Sequence, residues 1–316
     1  MVLQTKFYNI VSGFFFLVLL GSCTENHKNI AVQTTGVATG SIPENNKPKP
    51  LSKDFKQFWY AGEAEITSYK LQQARYGEIR DGEAVLIYVT EPFAPGKQVK
   101  ADQSSPSNIP VLKLNFTKKF LTGIYPYSIM SSTFYPVADN QHAIKVTSSI
   151  QEWCGQVFAQ LNNREKFEVE SFSYFESEGD QSLQFAKTHL ENEFWTKLRI
   201  QPNNLPTGKL KVIPSLDYLR LMHQPVKAYS AEASLEQNLE ISVYTLSYPE
   251  LKRELKISFT TAFPYSIESW TETYPSGFGS SAKMLTTKAT KIKSIKTPYW
   301  QRNGIEDVSL RDTLGI

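Results

Sequence analysis

The residues that could carry out chemistry are few and widely spaced. Besides Cys23, the chain has one cysteine, Cys154, which follows Trp153. A cysteine nucleophile needs a lowered pKa and a nearby base. His142 or His189 could supply that base only if the fold brings it close. Free cysteine is otherwise a small buried hydrophobic residue. We therefore expect Cys154 to be structural, and an envelope hydrolase or thiol enzyme centred on it is the alternative.

Motifs for metals and nucleotides are missing from the sequence. The histidines, at positions 27, 142, 189 and 223, are far apart, and no HxH, HExxH or CxxC spacing occurs. The acidic residues around Gly179 lack the full pattern of a calcium loop. No GxGxxG, GxxxxGK[ST] or GxSxG motif is present. The sequence therefore predicts no metal site and no cofactor.

Aromatic side chains are the other candidates for a binding role, because they can line a groove for an apolar ligand or a carbohydrate. In an all-β protein they more often fill the core or its rim. The candidate ligand contacts are Trp153, Cys154, Tyr127, Tyr265 and Trp270. Glycan binding by exposed aromatic rings is a further alternative.

Composition narrows the class of protein. The chain has 316 residues with 41% hydrophobic and 21% charged residues, which is typical of a globular protein. A formal net charge of +3 is too balanced for a nucleic-acid binder that neutralises phosphates, so no nucleic-acid partner is expected. A mean hydropathy of -0.34 excludes a protein with many membrane spans.

The N-terminal segment indicates where the protein is sent. Residues 10–20 are almost wholly apolar, which is about half the ~20 residues needed to span a bilayer. The run ends in Leu20-Gly21-Ser22-Cys23, which resembles a bacterial lipoprotein signal. The resemblance implies a signal peptide over 1–22 and lipidation of Cys23.

The segment after Cys23 predicts an anchor and a tether. Residues 23–54 are rich in Thr, Asn, Lys, Gly and Pro and have no apolar period, so they cannot form a core. Thr24, rather than an aspartate, follows the cysteine, which by resemblance favours the outer membrane. No acidic cluster follows Cys23, so we expect the periplasmic face, with the membrane as a partner through the lipid.

The remaining chain predicts a mostly β fold of antiparallel curved sheets. Alternating apolar and polar residues recur from about residue 60 to about residue 296. Asp81-Gly82 and Asn162-Asn163 are typical of hairpin turns. The lysine-rich segment 283–296 predicts an edge strand that lysines protect from aggregation.

One connecting helix and a faint repeat complete the organisation. Leu183, Ala186, Leu190 and Phe194 share a helical spacing, which predicts a helix near 182–198. The Tyr127 segment resembles the Tyr265 segment, which would make two tandem repeats. The predicted units are therefore 55–198, which includes the helix, and 199–316.

Two short segments also resemble a known group of proteins. Ser149–Gly155 and Glu178–Gln181 are similar to a family of uncharacterised gram-negative bacterial lipoproteins, some of which are labelled septum formation inhibitor Maf. True Maf pyrophosphatases have an N-terminal Ser-x-Ser-Pro-Arg-Arg-type loop, which this chain lacks. The resemblance implies an envelope lipoprotein and supplies no active-site residue.

These observations together predict a non-enzymatic lipoprotein anchored to the outer membrane. Its ligand would be an apolar or envelope molecule, or its partner an unknown envelope protein. A curved sheet with a helix across it can enclose such a ligand.

Overall fold

The computed structural model describes residues 50–316. The predicted signal peptide, Cys23 and nearly all of the predicted tether lie outside these residues. Helix α1 (Lys53–Trp59) begins just inside the predicted tether, and Ser52 caps it by accepting a hydrogen bond from the Phe55 backbone N–H at 3.0 Å. Phe55 and Trp59 are buried, so α1 belongs to the folded body.

Sixteen strands form one sheet. Their bounds are β1 (Ala64–Arg75), β2 (Glu78–Ala94), β3 (Val99–Lys100), β4 (Ile109–Thr122), β5 (Tyr125–Pro136), β6 (Lys145–Glu152), β7 (Gly155–Asn163), β8 (Phe167–Ser173), β9 (Gln181–Phe185), β10 (His189–Leu190), β11 (Gly208–Ile213), β12 (Tyr229–Gln237), β13 (Ile241–Tyr248), β14 (Arg253–Thr260), β15 (Ile267–Ser276) and β16 (Lys283–Thr297).

The helices are short and few. After α1 come α2 (Glu191–Ile200), α3 (Leu216–Leu221) and α4 (Ser309–Leu314), with 3-10 turns at Pro202–Asn204, Gly279–Ser281, Tyr299–Gln301 and Ile305–Val308. Within residues 50–316, none of these helices combines the length and the apolar character needed to cross a membrane.

The sheet is an antiparallel meander with one parallel pair. Its spatial order is β10-β11-β12-β13-β14-β15-β16-β1-β2-β4-β5-β6-β7-β8-β9, with β3 paired to β2. Among the strands of residues 50–316, only β10 and β11 run parallel. The mostly β, antiparallel prediction is confirmed, and both predicted β units contribute to this single sheet because β1 pairs with β16.

The sheet curves around α2. Phe194 packs on Tyr244 of β13, with ring centroids 5.6 Å apart. The adjacent Trp195 packs on Phe116 of β4 at 5.1 Å and on Trp270 of β15 at 5.4 Å. These strands are well separated in the sheet order, so neighbouring helix residues can reach them only if the sheet wraps round the helix.

Buried ion pairs also hold α2 in place. The Arg199 guanidinium donates to both carboxylate oxygens of Glu65 on β1, at 2.7 and 2.9 Å. Arg253 on β14 donates to Glu191 at 2.7 Å and to Glu272 at 2.6 Å. Burial alone would lower the pKa of Arg199 and Arg253, but the adjacent carboxylates outweigh it and raise both.

Four local predictions differ from the structure. The turn predicted at Asn162-Asn163 lies later, because both asparagines belong to β7 and pair with β8. The helix begins at Glu191, because Gln181–Phe185 pairs instead with β8 as strand β9. The lysine-rich β16 is not an edge, since β15 and β1 flank it. The first hairpin turns at Tyr76 and Gly77, both with positive φ, rather than at Asp81-Gly82, which lies within β2.

The predicted equivalence of Tyr127 and Tyr265 is wrong. Tyr127 lies inside β5 and is paired with Phe120. Tyr265 precedes β15 and has a left-handed φ of 58° in the loop. The two tyrosines therefore occupy unrelated positions, so the repeat loses the pair on which it mainly rested.

Candidate ligand-binding site

A row of small side chains crosses four neighbouring strands. Ser131, Ser148, Ala159 and Ser171 are successive Cα partners on β5, β6, β7 and β8. Larger residues form the neighbouring cross-strand pairs on the same face, for example Ile150 with Val157. Small side chains between larger ones leave space above the sheet.

Helix α3 covers that space. Leu216 and Leu219, three residues apart on one face, line a cavity of about 270 Å³ whose floor includes Ser148, Ala159 and Ser171. We call it the α3 cavity. The helix is fixed by Asp217, which accepts a hydrogen bond from Lys118 of β4 at 2.8 Å. Burial would raise the pKa of Asp217, but the Lys118 charge outweighs it and lowers that pKa.

A second cavity of about 250 Å³ adjoins the first. It is lined by Arg75, Tyr76 and Tyr127 among others, and we call it the arginine cavity. The two cavities share the lining residues Ile150, Val157, Arg220 and His223. A ligand could therefore extend from one into the other.

Arg75 is buried in this cavity and has no acidic partner in the part of the chain that the structure describes. It is 8% exposed, and its guanidinium donates to the Leu221 carbonyl and to the hydroxyls of Tyr76 and Tyr127 at 3.1 and 3.2 Å. Its Nε has no hydrogen-bond partner. Within residues 50–316, no carboxylate lies within ion-pair distance of Arg75.

Arg220 brings a second guanidinium to both cavities. Its Nη1 donates to Glu178 at 3.0 Å, and the same carboxylate oxygen is 2.7 Å from Nδ1 of His223. The guanidinium lies 4.2 Å from the ring centroid of Phe175, and its Nε has no hydrogen-bond partner among the described residues. One carboxylate thus serves two basic groups, and Arg220 keeps an unused donor.

Glu152 is the carboxylate that lines the arginine cavity. One of its oxygens accepts a hydrogen bond from the Cys154 backbone N–H at 2.7 Å, inside the β6–β7 turn. Hydrogen bonding to Glu152 and its negative charge raise the pKa of the exposed Cys154 thiol. The thiolate is therefore disfavoured, which gives the thiol-enzyme alternative no support.

The predicted ligand contacts are dispersed by the fold. Tyr127, 2% exposed, lines the arginine cavity. Trp153, 68% exposed, and Cys154 form the nearby β6–β7 turn. Tyr265 packs against Phe263 in the β14–β15 loop, and Trp270 is part of the core.

Arg75, Arg220 and the row of small residues were not predicted from the sequence. Nothing in one sequence shows that four small residues on four strands are in register, because the row exists only after pairing. Arg75 carried a weak signal, since it directly precedes the turn at Tyr76 and Gly77.

A second polar cluster lies where α2 begins. His142, His189 and Glu193 each offer a ligand atom, and these atoms lie within 4.8 Å of one another. The sequence predicted no metal site because these residues do not form a recognisable short motif.

Comparisons with known proteins give little further information. No protein-family model matches the chain, and no curated protein matches it. A solved structure, the crystal structure of a β-barrel-like protein of domain of unknown function DUF1849 from Brucella abortus, is similar at 9% sequence identity. The match covers 74% of this chain and 97% of that chain, with a TM-score of 0.42.

Proposed function

We propose that this protein is a non-enzymatic lipoprotein, anchored to the outer membrane through Cys23, that binds an amphiphile with an anionic head group. The apolar part of the ligand would occupy the α3 cavity, and its head group would meet Arg75 and Arg220. The observation that carries the proposal is Arg75, a buried cation with no carboxylate within ion-pair distance among residues 50–316, beside the α3 cavity that Leu216 and Leu219 help to line.

The energetics favour an anion at this position. A buried charge is costly unless it is paired and hydrogen-bonded. Two tyrosine hydroxyls and a carbonyl accept hydrogen bonds from the Arg75 guanidinium, but none of these groups carries a negative charge to pair with it. A guanidinium matches carboxylate and phosphate groups through paired hydrogen bonds, so an anionic head group would supply the missing charge.

The size and lining suit a slender apolar chain. Each cavity is close to the lower end of the range of about 300–1,000 Å³ that is usual for small-molecule sites. Ile150 and Val157 are apolar and line both cavities, beside the shared Arg220 and His223. Tyr127 is the one sequence-predicted contact that takes part.

Calorimetric titration tests the proposal. We expect laurate to bind the full mature chain, whereas dodecyltrimethylammonium, with the opposite charge, should not. Arg75→Gln should weaken laurate binding about tenfold or more, since a hydrogen bond to a charged group contributes about 1.5–3 kcal/mol.

Arg164→Gln is the matched control, because Arg164 is a half-exposed arginine on the β7–β8 turn that pairs with Glu168 at 3.2 Å. Equal weakening by Arg164→Gln, or equal affinity for the cationic amphiphile, would overturn the proposal. A folded protein that binds neither amphiphile would also overturn it.

A further inference from the structure

The cluster at the start of α2 combines two imidazoles and one carboxylate. Nδ1 of His142 lies 2.9 Å from Oε1 of Glu193, and Nδ1 of His189 lies 3.8 Å from the same oxygen. The centroids of the two imidazole rings are 5.7 Å apart, and the angle between the ring planes is 76°. Both rings therefore direct a nitrogen toward one carboxylate oxygen.

The backbone brings these residues together from separate parts of the chain. His142 lies between β5 and β6, and His189 lies in β10, which pairs with β11. Glu193 follows His189 by four residues, in the first turn of α2. The parallel pair β10–β11 ends where α2 begins, so His189 and Glu193 are held on two rigid elements.

Surrounding hydrogen bonds orient the carboxylate and the loop. Oε2 of Glu193 accepts from the Ala143 backbone N–H at 2.9 Å, and Oε1 accepts from the Leu190 N–H at 3.3 Å. The Asn163 side chain donates to the Ala143 carbonyl at 3.1 Å, which fixes the loop that carries His142. Such outer hydrogen bonds are what a metal site needs to hold its ligands in place.

His189 has unused binding capacity. Its Nδ1 lies 3.8 Å from Oε1 of Glu193, which is too far for a hydrogen bond, and its buried Nε2 has no hydrogen-bond partner among residues 50–316. Its side chain is 13% exposed, so water contributes little. Nδ1 of His189 therefore lies beside a carboxylate and a second imidazole without a hydrogen bond to Glu193, and a cation between these groups would give that nitrogen a partner.

We propose that His142, His189 and Glu193 bind a zinc ion. Two imidazoles and one carboxylate are a usual three-residue ligand set for Zn²⁺, with a water in the fourth position. Zinc–nitrogen and zinc–oxygen bonds are about 2.0–2.2 Å long, so the ligands would draw slightly inward around the ion. His142, whose side chain is 23% exposed, gives the ion a path from solvent.

The expected consequence is a link between the β5–β6 loop and the start of α2. The ion would tie His142 on the loop to the strand and helix that carry His189 and Glu193. None of these residues lines the α3 or arginine cavity, so the zinc site is independent of the proposed amphiphile site.

Metal titration of the full mature chain tests this site. After EDTA treatment and dialysis, we expect one Zn²⁺ to bind per chain, measured by calorimetry and by elemental analysis, and the melting temperature to rise with zinc. Co²⁺ in place of zinc should give the visible absorption of a four-coordinate cobalt site.

Histidine variants locate the binding. His142→Gln and His189→Gln should each weaken zinc binding more than about 100-fold, beyond the effect usual for an outer-shell change. His223→Gln is the control, because His223 also pairs with a glutamate, Glu178, but lies outside the cluster. If His189→Gln does not fold, the more exposed His142 still provides the test.

Two results would overturn the site. One is absence of stoichiometric zinc binding to the folded wild-type chain, which would leave the cluster as a hydrogen-bonded network around Glu193. The other is zinc binding of equal affinity in wild type and His142→Gln.

Discussion

The buried arginines of this molecule are of two kinds, which differ in whether a carboxylate pairs with the guanidinium. Arg199 and Arg253 each face carboxylates at hydrogen-bond distance, and both link the sheet to α2. Arg75 is similarly buried but faces tyrosine hydroxyls, a carbonyl and a cavity. The first two have their charge balanced by the protein itself. The charge of Arg75 is not paired with any carboxylate within residues 50–316, and we therefore place ligand binding there.

The comparison predicts its largest effect at Arg253. Arg253→Met would leave Glu191 and Glu272 as buried carboxylates without their cation, so we expect a loss of about 3–5 kcal/mol in the free energy of unfolding. Urea denaturation monitored by tryptophan fluorescence measures it.

Arg75→Met is the matched comparison, because it removes a buried cation and leaves no carboxylate unpaired. We expect a loss of no more than about 1–2 kcal/mol, from the hydrogen bonds to Leu221 and the tyrosines. Equal destabilisation by the two variants would show that Arg75 is as structural as Arg253.

A smaller effect is expected from filling the α3 cavity. Ala159→Leu adds apolar volume to the row of small residues that lines the cavity. We expect the free energy of unfolding to stay the same or to rise by up to about 1 kcal/mol. Laurate binding should weaken about tenfold or more, because the side chain occupies the space of the ligand. Gln160→Leu is the control, because residue 160 is the next position on β7 and points to the other face. Undiminished laurate binding by Ala159→Leu would separate the ligand from this cavity.

The smallest effect concerns Glu152, the carboxylate in the arginine cavity. If its charge acts on the Cys154 thiol, as the raised pKa of that thiol indicates, Glu152→Gln should lower the thiol pKa. Reaction with iodoacetamide near neutral pH should then become faster, because more thiolate is present. If the rate is unchanged across the pH profile, the Glu152 charge interacts with the arginines of the cavity and not with the thiol. That result would weaken the distinction between Arg75 and the two carboxylate-paired arginines.

The sequence predicted the class of fold well and the site poorly, for physical reasons. Alternation in segments such as Leu255–Phe259 reports burial on one face of a strand, so the mostly β architecture could be read directly. The spacing of Leu183 and Leu190 also fits a helix. Pairing of β9 with β8 overrides that local preference, and this pairing joins residues that the local pattern does not relate.

The site residues depend still more on long-range pairing. Ser131 and Ser171 are forty positions apart in sequence and lie on one row only through three strand registers. His142 and Glu193 likewise meet only after β10 and β11 have fixed the start of α2. Tyr127 was found because aromatic residues stand out, whereas the unpaired state of Arg75 becomes visible only in three dimensions.

Under the proposed function, Arg75 pairs with an anionic group that the ligand supplies. The most direct measurement is the gain in unfolding free energy of the full mature chain on adding laurate, for wild type and for Arg75→Met at the same laurate concentration. At a hundredfold excess over the wild-type dissociation constant, linkage predicts a gain of about 2.7 kcal/mol for the wild type and a gain of no more than about 1.4 kcal/mol for Arg75→Met, if the variant binds at least about tenfold more weakly. Equal gains in the two proteins, or no gain in either, would contradict the account.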